Sequence, residues 1–596
     1  MSTYRAPLRD MQFALVEIAE LGKVASLPGY EDASGELVES LLESAAKLAS
    51  EVLSPLNQSG DQQGVSLGAD GVVTASGFRS AYQSFVAGGW NSIAGDPAFE
   101  GQGLPALVAA AAFEMWNSAN MSFALCPLLT AGAIEALKAH ASDELKDRYL
   151  RKLVSGEWTG TMNMTEPQAG SDLAAVRSKA VPHEDHYRIF GQKIFITFGD
   201  HDMAENIVHL VLARLPDAPE GTRGISLFLV PKYLVNDDGS LGARNDVHCA
   251  SIELKMGIHA SPTCAMSFGS SLGAIGFLVG AKNQGLAHMF TMMNEARQKV
   301  GLQGLGIAER AYQLARDYAK ERVQGRPLGN KAGERVTIIH HPDVRRMLLT
   351  MKAQIEAMRA FCYVVSADID FAHRDPNPHR RLGRQRRVDL LTPVVKAWCT
   401  EIAVEIASMA IQVHGGTGYI EATGAAQYFR DARIAPIYEG TTGIQAGDLV
   451  GRKLAADNGA AMHSLIREMR DLLDLLVPGS TSELSMICTA FASGVDALER
   501  ASDRMLGDYV ENPALALAGS VSYLMLVGYV CGAWQMTRGA ALALDRVGAH
   551  DRDSFYGAKI ATAEFYLTQI LPRVHGLRIA IESNASAGLS LAEQWF

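Results

Sequence analysis

The chain has 596 residues, 48% of them hydrophobic and 20% charged. One hydrophobic core stops growing at roughly 250–300 residues, so this length predicts three or four packed units. The net charge of −11, from 65 acidic against 54 basic residues, excludes nucleic acid as a bulk partner, because phosphate binding needs a basic face.

Seven cysteines (Cys126, Cys249, Cys264, Cys362, Cys399, Cys488 and Cys531) are scattered without a C-x-x-C pair, which fits reduced thiols of a cytosolic chain. The opening residues Met1-Ser-Thr-Tyr-Arg-Ala-Pro7 lack the apolar core of a signal peptide. The most apolar run, Leu515 to Trp534, is interrupted by three glycines and two serines and reads as a buried helix rather than a membrane span. A cytoplasmic protein with no integral membrane association is expected.

From about Gly35 to Trp158 apolar residues recur at three- and four-residue steps, as in Leu37-Val-Glu-Ser-Leu-Leu-Glu-Ser-Ala-Ala-Lys-Leu48, which predicts helices. The glycine-rich stretch Phe99-Glu-Gly-Gln-Gly-Leu-Pro105 breaks them. Near residue 160 the period changes. Tyr187–Thr197, Ile207–Leu212 and Gly224–Val230 are short β-branched or aromatic runs bounded by Gly, Asp and Pro, and predict strands of an antiparallel sheet or barrel. Helical periodicity returns after about Lys282. The breaks Asp457-Asn-Gly and Pro478-Gly-Ser-Thr-Ser then mark entry to a final helical unit. The arginine-rich stretch Arg374–Arg387, with two prolines, reads as a solvated surface loop, or alternatively as a docking site for an acidic partner.

Four segments stand out in order along the chain: Met162-Asn-Met-Thr165-Glu166-Pro-Gln-Ala-Gly170-Ser171-Asp172, Gly191-Gln-Lys193-Ile-Phe195-Ile-Thr197, Gln412-Val-His414-Gly415-Gly416-Thr-Gly418-Tyr, and Arg430-Asp431-Ala-Arg433-Ile-Ala-Pro-Ile-Tyr438-Glu439-Gly440-Thr441. Taken singly, each has a plain structural reading as a turn, helix end or ion pair. Together, in this order and in a helix–sheet–helix layout, they resemble the acyl-CoA dehydrogenase family from about residue 36 to 455.

The resemblance implies an α+β multidomain fold: an N-terminal extension over 1–35, an N-terminal helical domain over 36–160, a middle antiparallel β domain over 161–281, a C-terminal helical bundle for FAD and substrate over 282–455, and an extra C-terminal helical domain over 456–596. That enlarged plan resembles a bacterial subgroup that includes long-chain and 3-methylmercaptopropionyl-CoA dehydrogenases. FAD is implied as cofactor, bound between the sheet and the second helical bundle. An acyl-CoA is the implied substrate, an electron-transfer flavoprotein the implied acceptor, and a homodimer the implied assembly.

A flavin needs hydrogen bonds at its ring edge and an apolar wall against its face. The resemblance assigns this to Met162, Met164, Thr165 and Thr197, with Phe195 covering the ring where the family often has Trp. Arg322 and, across a subunit boundary, Gln412 and Gly416 are implied at the FAD of the neighbouring chain; Gly325 stands where the family usually places Phe. Thr441 is implied beside the cofactor. Ser171, Asn294, Arg297 and Gly440 are implied at the substrate, with Arg297 at the adenine and phosphate end of coenzyme A.

Glu439 carries the implied chemistry. The α-proton of a thioester is a weak acid, so its removal needs a placed base and a stabilised enolate oxygen. Glu439 would take that proton while the β-hydrogen leaves as hydride, and desolvation in an apolar slot would raise its pKa toward working pH. The expected reaction is α,β-desaturation of a medium- to long-chain acyl-CoA; the alternatives are 3-methylmercaptopropionyl-CoA dehydrogenation and an acyl-CoA oxidase reaction.

Overall fold

The computed structural model describes residues 3–329, 333–478, 481–546, 554–583 and 586–596. They form two compact units: Lys47–Leu104 with Ala119–Lys299, and Met1–Ala46 with Pro105–Ser118 and Val300–Phe596. Two long helices, α1 (Ala106–His140) and α2 (Gly285–Glu321), contribute residues to both. The backbone of α1 leaves helical geometry at Asn120.

The first unit is built around an eight-stranded sheet. Its strands are β1 (Trp158–Asn163), β2 (Lys179–His183), β3 (His186–Thr197), β4 (Asn206–Arg214), β5 (Ile225–Pro231), β6 (Val247–Ile252), β7 (Thr263–Phe268) and β8 (Ala274–Val279). The order is β6-β7-β3-β8-β5-β4-β1, with β2 on β3 and β4. The expected antiparallel pairing holds for most neighbours, but β1 joins β4 in parallel, with Trp158 opposite Asn206. Strands β4 and β5 are buried almost end to end, which is why their sequences are continuous apolar runs rather than alternating ones.

The second unit is helical. Helices α3 (Pro342–Arg374) and α4 (Pro378–His414) pack along each other, and α5 (Ala460–Leu476), α6 (Ser482–Glu511), α7 (Pro513–Leu544) and α8 (Phe555–Phe565) follow. The first predicted break before α5 is present, with Asn458 and Gly459 both at positive φ. The second includes Gly479 and Ser480, which lie outside the described residues. Helix α7 starts at a strong signal: the Asn512 side chain accepts from the Ala514 N–H, and Pro513 fills the first helical position. α1 and α7 are both long and apolar enough to cross a membrane, and most of each apolar stretch is buried in the protein. The glycines that interrupt the α7 sequence serve packing. A Cβ at Gly528 would lie 2.2 Å from the Trp398 ring of α4, so only glycine lets the two helices approach this closely.

The N-terminal extension is helical over Leu8–Gln12 and Leu21–Ala25, and it is tied to the last helices. The Phe13 ring meets Phe555 of α8 edge-on at 5.9 Å, and Arg538 of α7 donates to the Ile18 carbonyl at 2.7 Å. Tyr30 donates to Asp370 of α3 at 2.8 Å. The arginine-rich stretch is not the expected loop: α4 begins at Pro378, capped by Asn377, so most of the arginines are helical. Arg384 and Arg387 both turn onto Asp368 of α3, which is 2% exposed.

Candidate functional site

The expected site residues fall into two groups, one in each unit. In the sheet unit, Met162 at the end of β1 is buried, Met164 and Thr165 are half-buried, and Ser171 is exposed. This segment is fastened to β3 by three hydrogen bonds: the Thr165 carbonyl accepts from the Ile194 N–H at 2.9 Å, and Lys193 Nζ donates to Glu166 at 2.8 Å and to the Met164 carbonyl at 3.1 Å. The Glu166 carboxylate also accepts from the Ser178 N–H and hydroxyl, the Arg177 N–H and Gln168. Burial alone would raise this carboxyl, but the Lys193 charge and the surrounding donors outweigh it and hold it at about 2.

Between Ile196, opposite Cys264, and Lys193, opposite Met266, β3 carries one residue more than β7. Phe195 sits in this bulge at φ +59° and is 60% exposed, an unusual placement for a large aromatic inside a strand. A bulge re-aims a side chain that regular alternation would turn elsewhere. Thr197 ends the strand half-buried, its carbonyl accepting from the Thr161 hydroxyl at 2.8 Å. On α2, Asn294 is exposed and Arg297 is buried. It is 3% exposed, because the helix buries Ala296, Arg297 and Gln298 together.

In the helical unit, Arg322 follows the last residue of α2 and is exposed, as are Gln412 at the end of α4 and Gly416 just beyond it. The two helix ends are held together by the rings of Tyr318 and His414, stacked with centroids 4.5 Å apart, so Arg322 and Gln412 each lie within a turn of one contact. Among the described residues, chain neighbours aside, nothing approaches within 4 Å of a Cβ built at Gly416. Gly325 has φ +76°, the left-handed region, which a phenylalanine would occupy under strain.

Glu439 lies on a turn where two successive residues have positive φ, Glu439 at +55° and Gly440 at +89°. A non-glycine residue in this region costs about 1–2 kcal/mol and persists only where the surroundings enforce it. The surroundings do so from three helices. Lys396 of α4, fully buried, donates to the Gly440 carbonyl at 2.7 Å. Gln445 donates to the Glu439 carbonyl at 2.9 Å. Tyr438 donates to Gln303 of α2 at 2.6 Å. Burial, followed by the Glu439 and Asp431 charges, pushes the Tyr438 hydroxyl well above its ordinary value, so it remains a neutral donor. Thr441, exposed, caps the next short helix by accepting from the Ile444 N–H. The Glu439 side chain is half-buried with Oε2 out of contact with solvent.

Sequence reasoning missed Lys193, Lys396, Gln303 and Gln445. Only Lys193 left a signal: it shares strand parity with the buried Ile189, a core position where a lysine demands a buried partner.

Four family descriptions cover the chain in succession. "Acyl-CoA dehydrogenase, N-terminal domain" matches residues 36–157, the "middle domain" 161–271, the "C-terminal domain" 283–454, and "Acetyl-CoA dehydrogenase C-terminal like" 465–592. The chain is 46% identical over 576 residues to the 3-methylmercaptopropionyl-CoA dehydrogenase of Ruegeria pomeroyi, covering 96% of each sequence. It is 36% identical to a butyryl-CoA dehydrogenase of Syntrophomonas wolfei, over 100% of this chain and 99% of that one. An acyl-CoA dehydrogenase of Bacillus anthracis, solved in complex with FAD, has the same fold: TM-score 0.74 at 19% identity, over 94% of this chain and 90% of that chain.

Proposed function

The chain belongs to the acyl-CoA dehydrogenase family, and from that membership we propose that Glu439 is the base of an α,β-desaturation of a short-chain acyl-CoA. The protein is an oxidoreductase acting on a CH–CH bond, and its cofactor is FAD. The observation that carries the proposal is the strained turn: a half-buried carboxylate at φ +55°, fixed by donors from α4 and the following helix and by an acceptor on α2.

The residues present suit the cofactor. Phe195 offers an exposed aromatic face with Thr197 two residues on, which supports their roles at the ring. Arg322, Gln412 and Gly416, exposed at two joined helix ends, suit phosphate contacts, and a guanidinium can grip phosphate oxygens in pairs. Bound FAD supplies the hydride acceptor.

Glu439 takes the α-proton onto its carboxylate. The turn holds that carboxylate in place before substrate arrives, so little reorganisation is left to the reacting state. Tyr438, anchored on Gln303, fixes the residue on one side, and the buried Lys396 fixes the peptide on the other. Electrons pass on to an electron-transfer flavoprotein, and exposed Arg322 and Gln412 serve the cofactor of a second chain in a homodimer.

The acyl group is read from two of the relatives matched over nearly their full length. Both are named for short acyl chains, one bearing a thioether, which supports a short chain over the medium-to-long one the sequence suggested. Turnover of 3-methylmercaptopropionyl-, butyryl-, octanoyl- and palmitoyl-CoA with an artificial electron acceptor tests this. The highest kcat/KM is expected for one of the first two, and a maximum at palmitoyl-CoA would reject the short-chain reading.

A further inference from the structure

The arginine-rich stretch that the catalytic reading leaves unused lines a cavity of about 320 Å3 in the helical unit. That volume is at the lower end of small-molecule sites. The cavity lies where the N-terminal extension at Ile18–Glu20 meets α3, α4, α5 and α7. Its wall is apolar along Val364, Ala367, Phe371 and Leu472, and cationic at Arg384, Arg387 and Arg538.

The charges are unevenly placed. Among the lining acids only Asp368 is fully buried; Glu20 and Glu468 are partly exposed and Asp471 is exposed. Glu20 also pairs outward with Lys23 at 2.6 Å. Arg384 and Arg387 share Asp368, and Arg387 also pairs with Glu468, so among the described residues Arg538 is the lining guanidinium with no carboxylate at ion-pair distance. Arg384 lies over the Phe371 ring at 5.0 Å and Arg387 over the Trp534 ring at 5.8 Å, contacts that fix both cations in place.

Arg538 differs from the other two. The acceptors it meets are neutral, the Ile18 carbonyl at 2.7 Å and the Gln535 side chain at 2.8 Å. Burial accordingly lowers its guanidinium from the ordinary value, with Glu20 opposing. A half-buried cation met by neutral acceptors, beside a cavity with an apolar wall, is matched by a ligand that brings one negative charge and an apolar body.

We propose that this cavity is a binding site for a small organic carboxylate, its charge met by Arg538 and Arg384 and its body by the Phe371 and Leu472 wall. The site is independent of the Glu439 turn, and Arg384 and Arg538 take no part in the proposed catalysis.

Calorimetric titration of the FAD-loaded protein with benzoate, and separately with inorganic phosphate, tests the assignment. Saturable benzoate binding with one site per chain is expected, with phosphate at least about tenfold weaker because it lacks an apolar body. Arg538→Gln and Arg384→Gln should each weaken benzoate binding about tenfold or more, the usual size of a lost charge-assisted contact, while turnover without benzoate is unchanged. Should Arg538→Gln fail to fold, Arg384→Gln, whose side chain is 38% exposed, carries the test alone. No saturable benzoate binding by the unaltered protein would overturn the proposal. So would benzoate binding that a folded Arg384→Gln protein leaves unchanged. Phosphate binding as tight as benzoate would overturn the carboxylate assignment.

Discussion

Lys193 Nζ lies 2.8 Å from Glu166 Oε1, and this one buried pair joins two of the four motifs that make the sequence recognisable. Lys193 is 0% and Glu166 3% exposed. The pair locks the loop after β1 to the strand that presents Phe195 and Thr197. Lys193→Met would leave Glu166 buried without its cation, which typically costs about 3–5 kcal/mol. Urea unfolding should show that loss, and an unchanged midpoint would mean the pair is dispensable. The acid dependence has a definite sign. Because the folded-state Glu166 carboxyl is held at about 2, below its ordinary 4.5, its contribution is full above 4.5 and is lost as pH falls through about 2.

Gly440→Ala should disturb the Glu439 turn more than the fold. The position has φ +89°, and a Cβ there would lie 2.7 Å from Gln445 Nε2, the donor that holds the Glu439 carbonyl. Expected are a stability loss of about 1–2 kcal/mol and a kcat reduced about tenfold to a hundredfold, as misplaced catalytic groups give. Steady-state kinetics on folded protein decide it; unchanged kcat would mean the turn tolerates the shift.

The helix–sheet–helix order was legible because hydrophobic periodicity switches from helical to strand-like near residue 160 and back near residue 282. Glu439 was singled out only through resemblance, and its strained turn was not legible, since a positive φ at a glutamate has no compositional signature. The arginine-rich stretch misled because its prolines suggested a loop. Pro378 instead occupies the first turn of α4, where its missing N–H costs nothing, and the charges face a buried aspartate. The burial of Arg297 was not legible, because a motif position conveys residue type while burial depends on how α2 packs.

Arg322→Ala should weaken FAD retention while leaving turnover near normal in excess FAD. Losing a charge-assisted phosphate contact costs about 1.5–3 kcal/mol, roughly ten- to hundredfold in affinity. Dialysis followed by flavin absorbance measures it. Equal FAD loss from variant and unaltered protein would reject the role.

Truncation after Leu454 should yield aggregated or enlarged assemblies instead of a clean smaller dimer. Helix α7 covers Trp398 of α4 through Gly528 and Gly532, and Phe13 of the extension packs on Phe555 of α8. Removing residues 455–596 uncovers both surfaces, and large apolar patches associate. Light scattering reads the outcome; a monodisperse, active dimer would show that the last helices are an independent appendage.

Glu439 as the base is the central claim, and Glu439→Gln tests it most directly because it removes the carboxylate while keeping the shape. The measurement is the rate of flavin bleaching when FAD-loaded variant is mixed anaerobically with saturating acyl-CoA. We predict retained FAD and ligand binding with bleaching slowed by about 10²–10⁴ or more. Bleaching at the rate of the unaltered protein would contradict the account.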